Sequence, residues 1–507
     1  MTTTTSPNPT VETALGSVRG LTRGGIGVFL GIPYAAPPRG AGRFAAPEPH
    51  APWPGVRDAT VLGPTAPQAA RRLGGIDMFP YFGPGWVRGA DYLTVNVWTP
   101  HIGADGADGA DGADGADGAG GADGAGDARE LPVMVFVHGG GFTAGSTSAP
   151  LYDGTALARE GVVLVTVNYR LGVQGFLDLP GAPRNRGLLD VIAALRWVRE
   201  NVAAFGGDPE AVTLFGQSAG ATIVSAVAAA PEAGGLLRRA IVQSGSGLGA
   251  FTPGQAARVT RAAARELGVE AHADAFAAVP DDRLVEVVGR LSGIDLRTPD
   301  ADDPLMGLTP FSVVLPVQPA QTPPAAVDLL LGTTTQEGNL YPAADGEDAH
   351  GAATRAHPDP AGLLAAYRAA AGPGTPDAEL RSAVLGDALF GRGTWALAEA
   401  YATAGRRTFH YEFDWRGAIG AAHAVEVPFL FGRTDLPELR GPQGLLGSAP
   451  VPDGLAERLR AAWVRFARTG DPGWDAYDTE RRTTMRIGER WAALCDPRGA
   501  ERRAWTT

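Results

Sequence analysis

The chain of 507 residues carries 43 Lys and Arg against 55 Asp and Glu, a net charge of −12, which argues against nucleic acid and anionic membrane surfaces as partners. Apolar residues make up 44%, enough for a large core, and no apolar run approaches the ~18 residues of a membrane helix. A single cysteine, Cys495, excludes an intramolecular disulfide and any multi-cysteine zinc or iron–sulfur site.

Residues 1–10, MTTTTSPNPT, have neither the basic nor the apolar region of a secretory signal. They read as a disordered polar leader to a single domain over 11–507, with the cytoplasm as the expected setting. One low-complexity segment interrupts the domain. Residues 103–127 repeat Ala-Asp-Gly, with seven aspartates and no basic residue. The segment lacks the large side chains whose burial would offset the entropy of ordering. It is expected to be a solvated insertion between strands, and nothing fixes its aspartates in a calcium-binding geometry.

Strands and helices alternate around it. TVNVW (94–98) alternates in polarity, while LPVMVFV (131–137) and VVLVTVNY (162–169) are β-branched apolar runs. Over 188–205, Leu188, Ile192, Leu195, Val198 and Val202 recur on one helical face. AVTLF (211–215) predicts a buried strand, and AGATIVSAVAAA (219–230) predicts the helix after it. AIVQSG (240–245), DLLLGTT (328–334) and FHYEFDW (409–415) predict further strands. Ala- and Arg-rich stretches at 251–300 and 352–405 predict amphipathic helices inserted over the sheet. Repeated β-then-α order predicts an α/β fold, a mainly parallel sheet covered by helices on both faces.

The sharpest motif is Gly216-Gln217-Ser218-Ala219-Gly220, a G-x-S-x-G between strand and helix. In an α/β-hydrolase fold this turn holds a serine on strained backbone with its hydroxyl exposed. The flanking positions must be small, and Gly216, Gly220 and Ala221 comply. A second cluster, His138-Gly139-Gly140-Gly141-Phe142, follows the strand at 131–137. Its glycines leave backbone N–H groups open to a ligand, as an oxyanion hole requires. No Lys-Ser/Thr follows to make it a phosphate loop.

With these motifs in place, the sequence resembles the type-B carboxylesterases, the family of cholinesterases and bacterial para-nitrobenzyl esterases. The likeness runs through VFLGIPYAAPPRGAGRF (28–44), DYLTVNVWTP (91–100), PVMVFVHGGGF (132–142), VNYRLGVQGFL (167–177) and the stretch 185–221. It continues in AIVQSGS (240–246), GTTTQEGNLY (332–341), AAHAVEVPFLFG (421–432) and WVRFARTGDP (463–472). The resemblance implies an α/β-hydrolase fold with a gorge leading to Ser218. It assigns Ser218 as nucleophile, Glu337 as triad acid and His423 as triad base. It further assigns the N–H groups of Gly140, Gly141 and Ala219 to the oxyanion hole, and Ser244 to support of the acid. Two departures stand out. Tyr92 occupies the position of a family disulfide cysteine. Gln217 stands where many relatives have glutamate, which removes a negative charge beside the site and weakens any case for cationic, choline-like esters.

A serine hydroxyl needs a base in reach, and the order serine, acid, histidine is that of the α/β-hydrolases. From position alone His423 competes with a structural role, whereas His138 fits the oxyanion-loop scaffold and His410 the interior of a strand. Glu337 cannot be told from Glu426 or Asp414 without the resemblance. Phe142, Trp86 and Phe311 fit a gorge wall or a core equally well. The implied reaction is hydrolysis of small-molecule carboxylic esters through an acyl-enzyme, with no metal or organic cofactor, by a monomer or weak homo-oligomer. Amidase, carbamate hydrolase and lactone hydrolase share the chemistry. A non-catalytic binding protein on the same scaffold is the alternative of another class.

Overall fold

In the computed structural model, which describes residues 8–71, 73–101, 130–299, 301–343 and 346–506, the apolar runs pair into one large sheet. Its central strands are β1 (Ile26–Pro33), β2 (Thr94–Thr99), β3 (Leu131–Val137), β4 (Val163–Val167), β5 (Gly207–Gln217), β6 (Arg239–Gln243), β7 (Asp328–Thr334), β8 (Thr408–Phe413) and β9 (Thr483–Ile487). Their order is β1-β2-β4-β3-β5-β6-β7-β8-β9, with Leu21–Arg23 and Ala492–Cys495 at the two edges, making eleven strands. From β4 to β9 all neighbours run parallel, and β1, β2 and β4 alternate antiparallel.

Alternation along the strands builds a core on each face. Val133, Val135 and Val137 join the core under helices α1 (Arg186–Asn201) and α2 (Ala219–Ala229). Met134 and Phe136, one residue out of phase, join the core under α3 (Leu455–Thr469), beside Trp463 and Phe466. All five residues of the predicted helical stripe, Leu188 to Val202, are buried. That helix ends at Asn201 and tightens into a 3-10 turn over Val202–Phe205. The fold is therefore the expected α/β-hydrolase arrangement, a mostly parallel sheet with helices on both faces.

The stretch 349–403 folds as helices Ala349–Ala356, Pro360–Ala371, Asp377–Gly386 and Arg392–Thr403, with a small core of its own around Leu364, Val384 and Trp395. A π-helical turn, Asp387–Gly391, joins the last two helices. Where the family disulfide cysteine would stand, the ring of Tyr92 is buried and its hydroxyl donates to Gln174 Oε1 at 2.9 Å.

Sequence patterning missed a three-stranded sheet near the start (Thr10–Thr13, Gly16–Arg19, Val56–Asp58), so Thr10, assigned to the leader, opens a strand. It also missed β1, β9, both edge strands and α3. The first seven residues of the leader and the Ala-Asp-Gly insertion lie outside the described residues. No helix among the described residues is long and apolar enough to cross a membrane.

Candidate active site

β5 runs on to Gln217 and α2 begins at Ala219, so Ser218 alone makes the turn. Its backbone sits at φ 58°, ψ −126°, a conformation that costs a non-glycine residue of order 1–3 kcal/mol. The surroundings hold it there. Ser218 N donates to Gln243 O on β6 at 2.9 Å, and Thr222 N donates to Ser218 O at 3.0 Å. A Cβ on Gly220 would run into the carbonyl oxygen of Val137 at the end of β3, so the strand and helix can approach only with glycine there.

The glycine loop after β3 lies against this turn. Gly140 and Gly141 adopt φ of 113° and 60°, open to glycine at little cost. Their N–H groups and that of Ala219 donate to no acceptor among the described residues. Three unspent donors therefore border Ser218, one of them at the N-terminus of α2, where the helix dipole favours negative charge. His138 braces the loop. Its Nδ1 contacts Gly139 O at 2.8 Å, its ring stacks on Tyr169 at 4.5 Å, and burial pushes its imidazole down to about 4. It stays neutral at ordinary pH. Burial likewise lowers His410, inside β8, to about 4.

Glu337 follows β7 and His423 follows β8, so neighbouring strands in the sheet deliver them to the same end. His423 Nδ1 lies 2.5 Å from Glu337 Oε2, and both residues are buried. The other carboxylate oxygen accepts from Ser244 Oγ at 2.6 Å and from Thr334 N at 2.7 Å. With Glu337 on Nδ1, the imidazole presents the lone pair of Nε2 toward the cavity. That nitrogen is met by Gln217 Nε2 at 3.1 Å. Ser218 Oγ makes no hydrogen bond to it, although both side chains line one cavity of about 730 Å³.

The other two acids weighed from sequence do not touch the imidazole. Asp414 accepts from Thr335 Oγ1 at 2.7 Å. Glu426 is fully buried and weakly held by Gln243 Nε2 at 3.5 Å, and its carboxyl is pushed up to about 8 by burial and then by the Glu337 carboxylate. Of the three aromatics, Phe142 lines the cavity, Phe311 packs in the core, and Trp86 lies under the Arg88 guanidinium.

Three residues of the site were given no role by the sequence. Phe390 stacks on the His423 ring at 4.3 Å and 13°. It rides on the π-helical turn, whose first residue, Asp387, takes both Nη groups of Arg498 at 2.9 and 2.7 Å and the Tyr367 hydroxyl. Tyr341 approaches His423 ring to ring at 5.8 Å. Arg71 donates to Gly140 O at 2.7 Å. All three line the cavity, whose remaining wall is largely apolar.

The family model described as "Carboxylesterase family" matches residues 7–358, a span that holds Ser218 and Glu337. The chain is 35% identical to the para-nitrobenzyl esterase of Bacillus subtilis (strain 168), with 97% of each chain covered. It is also 35% identical to the phenmedipham hydrolase of Pseudarthrobacter oxydans, covering 92% of this chain and 91% of that one. A solved PNB esterase superposes with a TM-score of 0.80 at 33% identity, over 98% of this chain and 99% of the other. The chain belongs to the carboxylesterase family and is a carboxylic ester hydrolase.

Proposed function

We propose that Ser218, His423 and Glu337 act as nucleophile, base and orienting acid in two-step hydrolysis of small carboxylic esters, within a single catalytic domain spanning 11–507. Ser218 Oγ attacks the ester carbonyl while His423 Nε2 takes its proton. The Gln217 amide must yield that nitrogen as the serine hydroxyl turns toward it. The N–H groups of Gly140, Gly141 and Ala219 receive the negative oxygen. Collapse breaks the bond to the alcohol, which leaves with the proton from His423. Water then attacks the acyl-enzyme, giving its proton to His423, and the second collapse releases the acid and returns the proton to Ser218. Glu337 holds the imidazole in the tautomer that accepts at Nε2 and stabilises the imidazolium.

One observation carries this reading: a strained serine, three N–H groups without acceptors among the described residues and an imidazole backed by a buried carboxylate border one cavity. Para-nitrobenzyl and para-nitrophenyl esters are the first substrates to assay, given the name of the Bacillus relative. Ser218→Ala is expected to lower turnover of para-nitrophenyl butyrate by roughly 10⁴ or more, with an unchanged circular dichroism spectrum. Turnover retained in that variant overturns the reading. A fluorophosphonate should label the wild type at Ser218, which separates an activated serine from a mere binding cavity.

A further inference from the structure

We propose that Arg71 makes this cavity an anion-recognising site, so that the preferred substrates are esters that also carry a carboxylate. The proposal rests on Ser218 as the reacting centre and names the substrate class that centre serves.

Arg71 is the only Lys, Arg, Asp or Glu side chain lining the cavity among the described residues. It also lines an adjoining cavity of about 860 Å³, again as the sole such side chain among the described residues. It has no ion pair with a described carboxylate. Several other arginines shielded from solvent have acid partners. Arg170 meets Asp190 at 2.7 Å, Arg498 meets Asp387 at 2.7 Å and Arg381 meets Glu347 at 3.2 Å. Arg186 lacks an acid but gives its N–H groups to four carbonyls, those of Gln174, Pro183, Val173 and Leu177. Arg71 uses Nη1 alone, toward Gly140 O at 2.7 Å and Thr143 Oγ1 at 3.2 Å.

A guanidinium offers five N–H donors. The two on Nη1 are spent, which leaves the Nε–Nη2 edge without an acceptor among the described residues. That edge has the spacing of a carboxylate and pairs with it through two parallel hydrogen bonds. Enclosing a cation without a counter-charge is costly, and burial does hold this guanidinium below the usual arginine range. A substrate carboxylate would relieve that cost on binding. The remaining contact ties Arg71 to the chemistry. Gly140 O belongs to the same peptide unit as Gly141 N–H, so a cation on the oxygen polarises that N–H toward a developing oxyanion. Arg71 thus also positions the glycine loop, and its loss should slow neutral esters too. The reading therefore depends on a ratio.

Two matched pairs of esters supply it. Para-nitrophenyl hydrogen glutarate against para-nitrophenyl methyl glutarate places the charge on the acyl side, with the uncatalysed rate subtracted. 4-Acetoxybenzoate against its methyl ester places it on the alcohol side. In the wild type, kcat/KM should favour the charged member of at least one pair by about ten- to hundredfold, the worth of a hydrogen-bonded charge pair. Arg71→Met should reduce that preference at least tenfold, and Arg71→Lys, a point charge without the fork, should retain part of it. A wild type that prefers the neutral member of both pairs overturns the proposal, and so does a ratio that moves less than threefold in Arg71→Met. The wild-type ratio needs no variant, so a misfolded Arg71→Met does not spare the proposal. Calorimetric binding of the charged glutarate ester to Ser218→Ala separates the two readings. Binding without wild-type hydrolysis defeats the role of Ser218 alone, and hydrolysis without charge preference defeats the role of Arg71 alone.

Discussion

The side-chain amide of Gln217 donates to Nε2 of His423 across 3.1 Å, so the imidazole is held by a carboxylate on one nitrogen and a neutral amide on the other. Gln217→Glu would put a second carboxylate beside the ring, and a nearby negative charge favours imidazolium. The acid limb of the kcat/KM–pH profile should move upward by about one unit, with the loss greatest below neutrality and small at pH 9. A pH series on para-nitrophenyl butyrate checks this. Superimposable profiles would show that the amide does not sense the base.

Ser244 Oγ supplies one of two hydrogen bonds to the outer oxygen of Glu337. A hydrogen bond to a charged group is worth about 1.5–3 kcal/mol. Ser244→Ala should lower kcat by about ten- to hundredfold while leaving KM within about threefold. Ser244→Thr should recover part of the loss if its hydroxyl reaches the same oxygen. Equal changes in kcat and KM would place Ser244 outside the support of Glu337.

Phe390 lies nearly parallel to the His423 ring. Ring pairs of this kind contribute about 0.5–1.5 kcal/mol beyond simple burial, so Phe390→Ala should cost about three- to tenfold in kcat, with the larger share restored by Phe390→Tyr. Steady-state rates across the three proteins decide it, and unchanged kcat in the alanine variant would contradict a bracing role.

Glu426 gives a stability test. Its carboxyl is pushed up to about 8 in the folded protein, above its ordinary value of ~4.3 in an unfolded chain. Between those values the folded form keeps a proton that the unfolded form has lost, so stability is fully present below the lower value and falls as pH rises through the window. Each unit of difference is worth about 1.4 kcal/mol. Glu426→Gln stays neutral and escapes the decline. Its thermal midpoint should gain on the wild type progressively from pH 5 to pH 8. Parallel midpoint curves would show that Glu426 does not titrate in this range.

The turn at Ser218 was legible because everything that makes it is local: an apolar strand, one residue, an Ala-rich helix and small neighbours. The proposed triad acid was not legible in the same way. Glu337, Glu426 and Asp414 all follow or flank strands, and only the pairing of β7 beside β8 brings Glu337, and neither of the others, to the imidazole. The family resemblance selected it before the sheet did. Short strands of mixed polarity such as Gly16–Arg19 and Thr483–Ile487 carry too few residues for a period to emerge, and Arg71 sits in a loop where no period exists. Its significance lies in what fails to surround it, which a linear pattern cannot express.

The clamp on Asp387 has a practical corollary. Arg498, just before the helix Gly499–Ala504, secures the turn that sets Phe390 over His423. Cutting the chain before Arg498 would thus tamper with the proposed proton acceptor from a distance, and the shortened enzyme would turn over sluggishly even while its sheet stayed whole. Anyone attaching a tag or anchoring surface there is handling a strut of the proposed reaction centre.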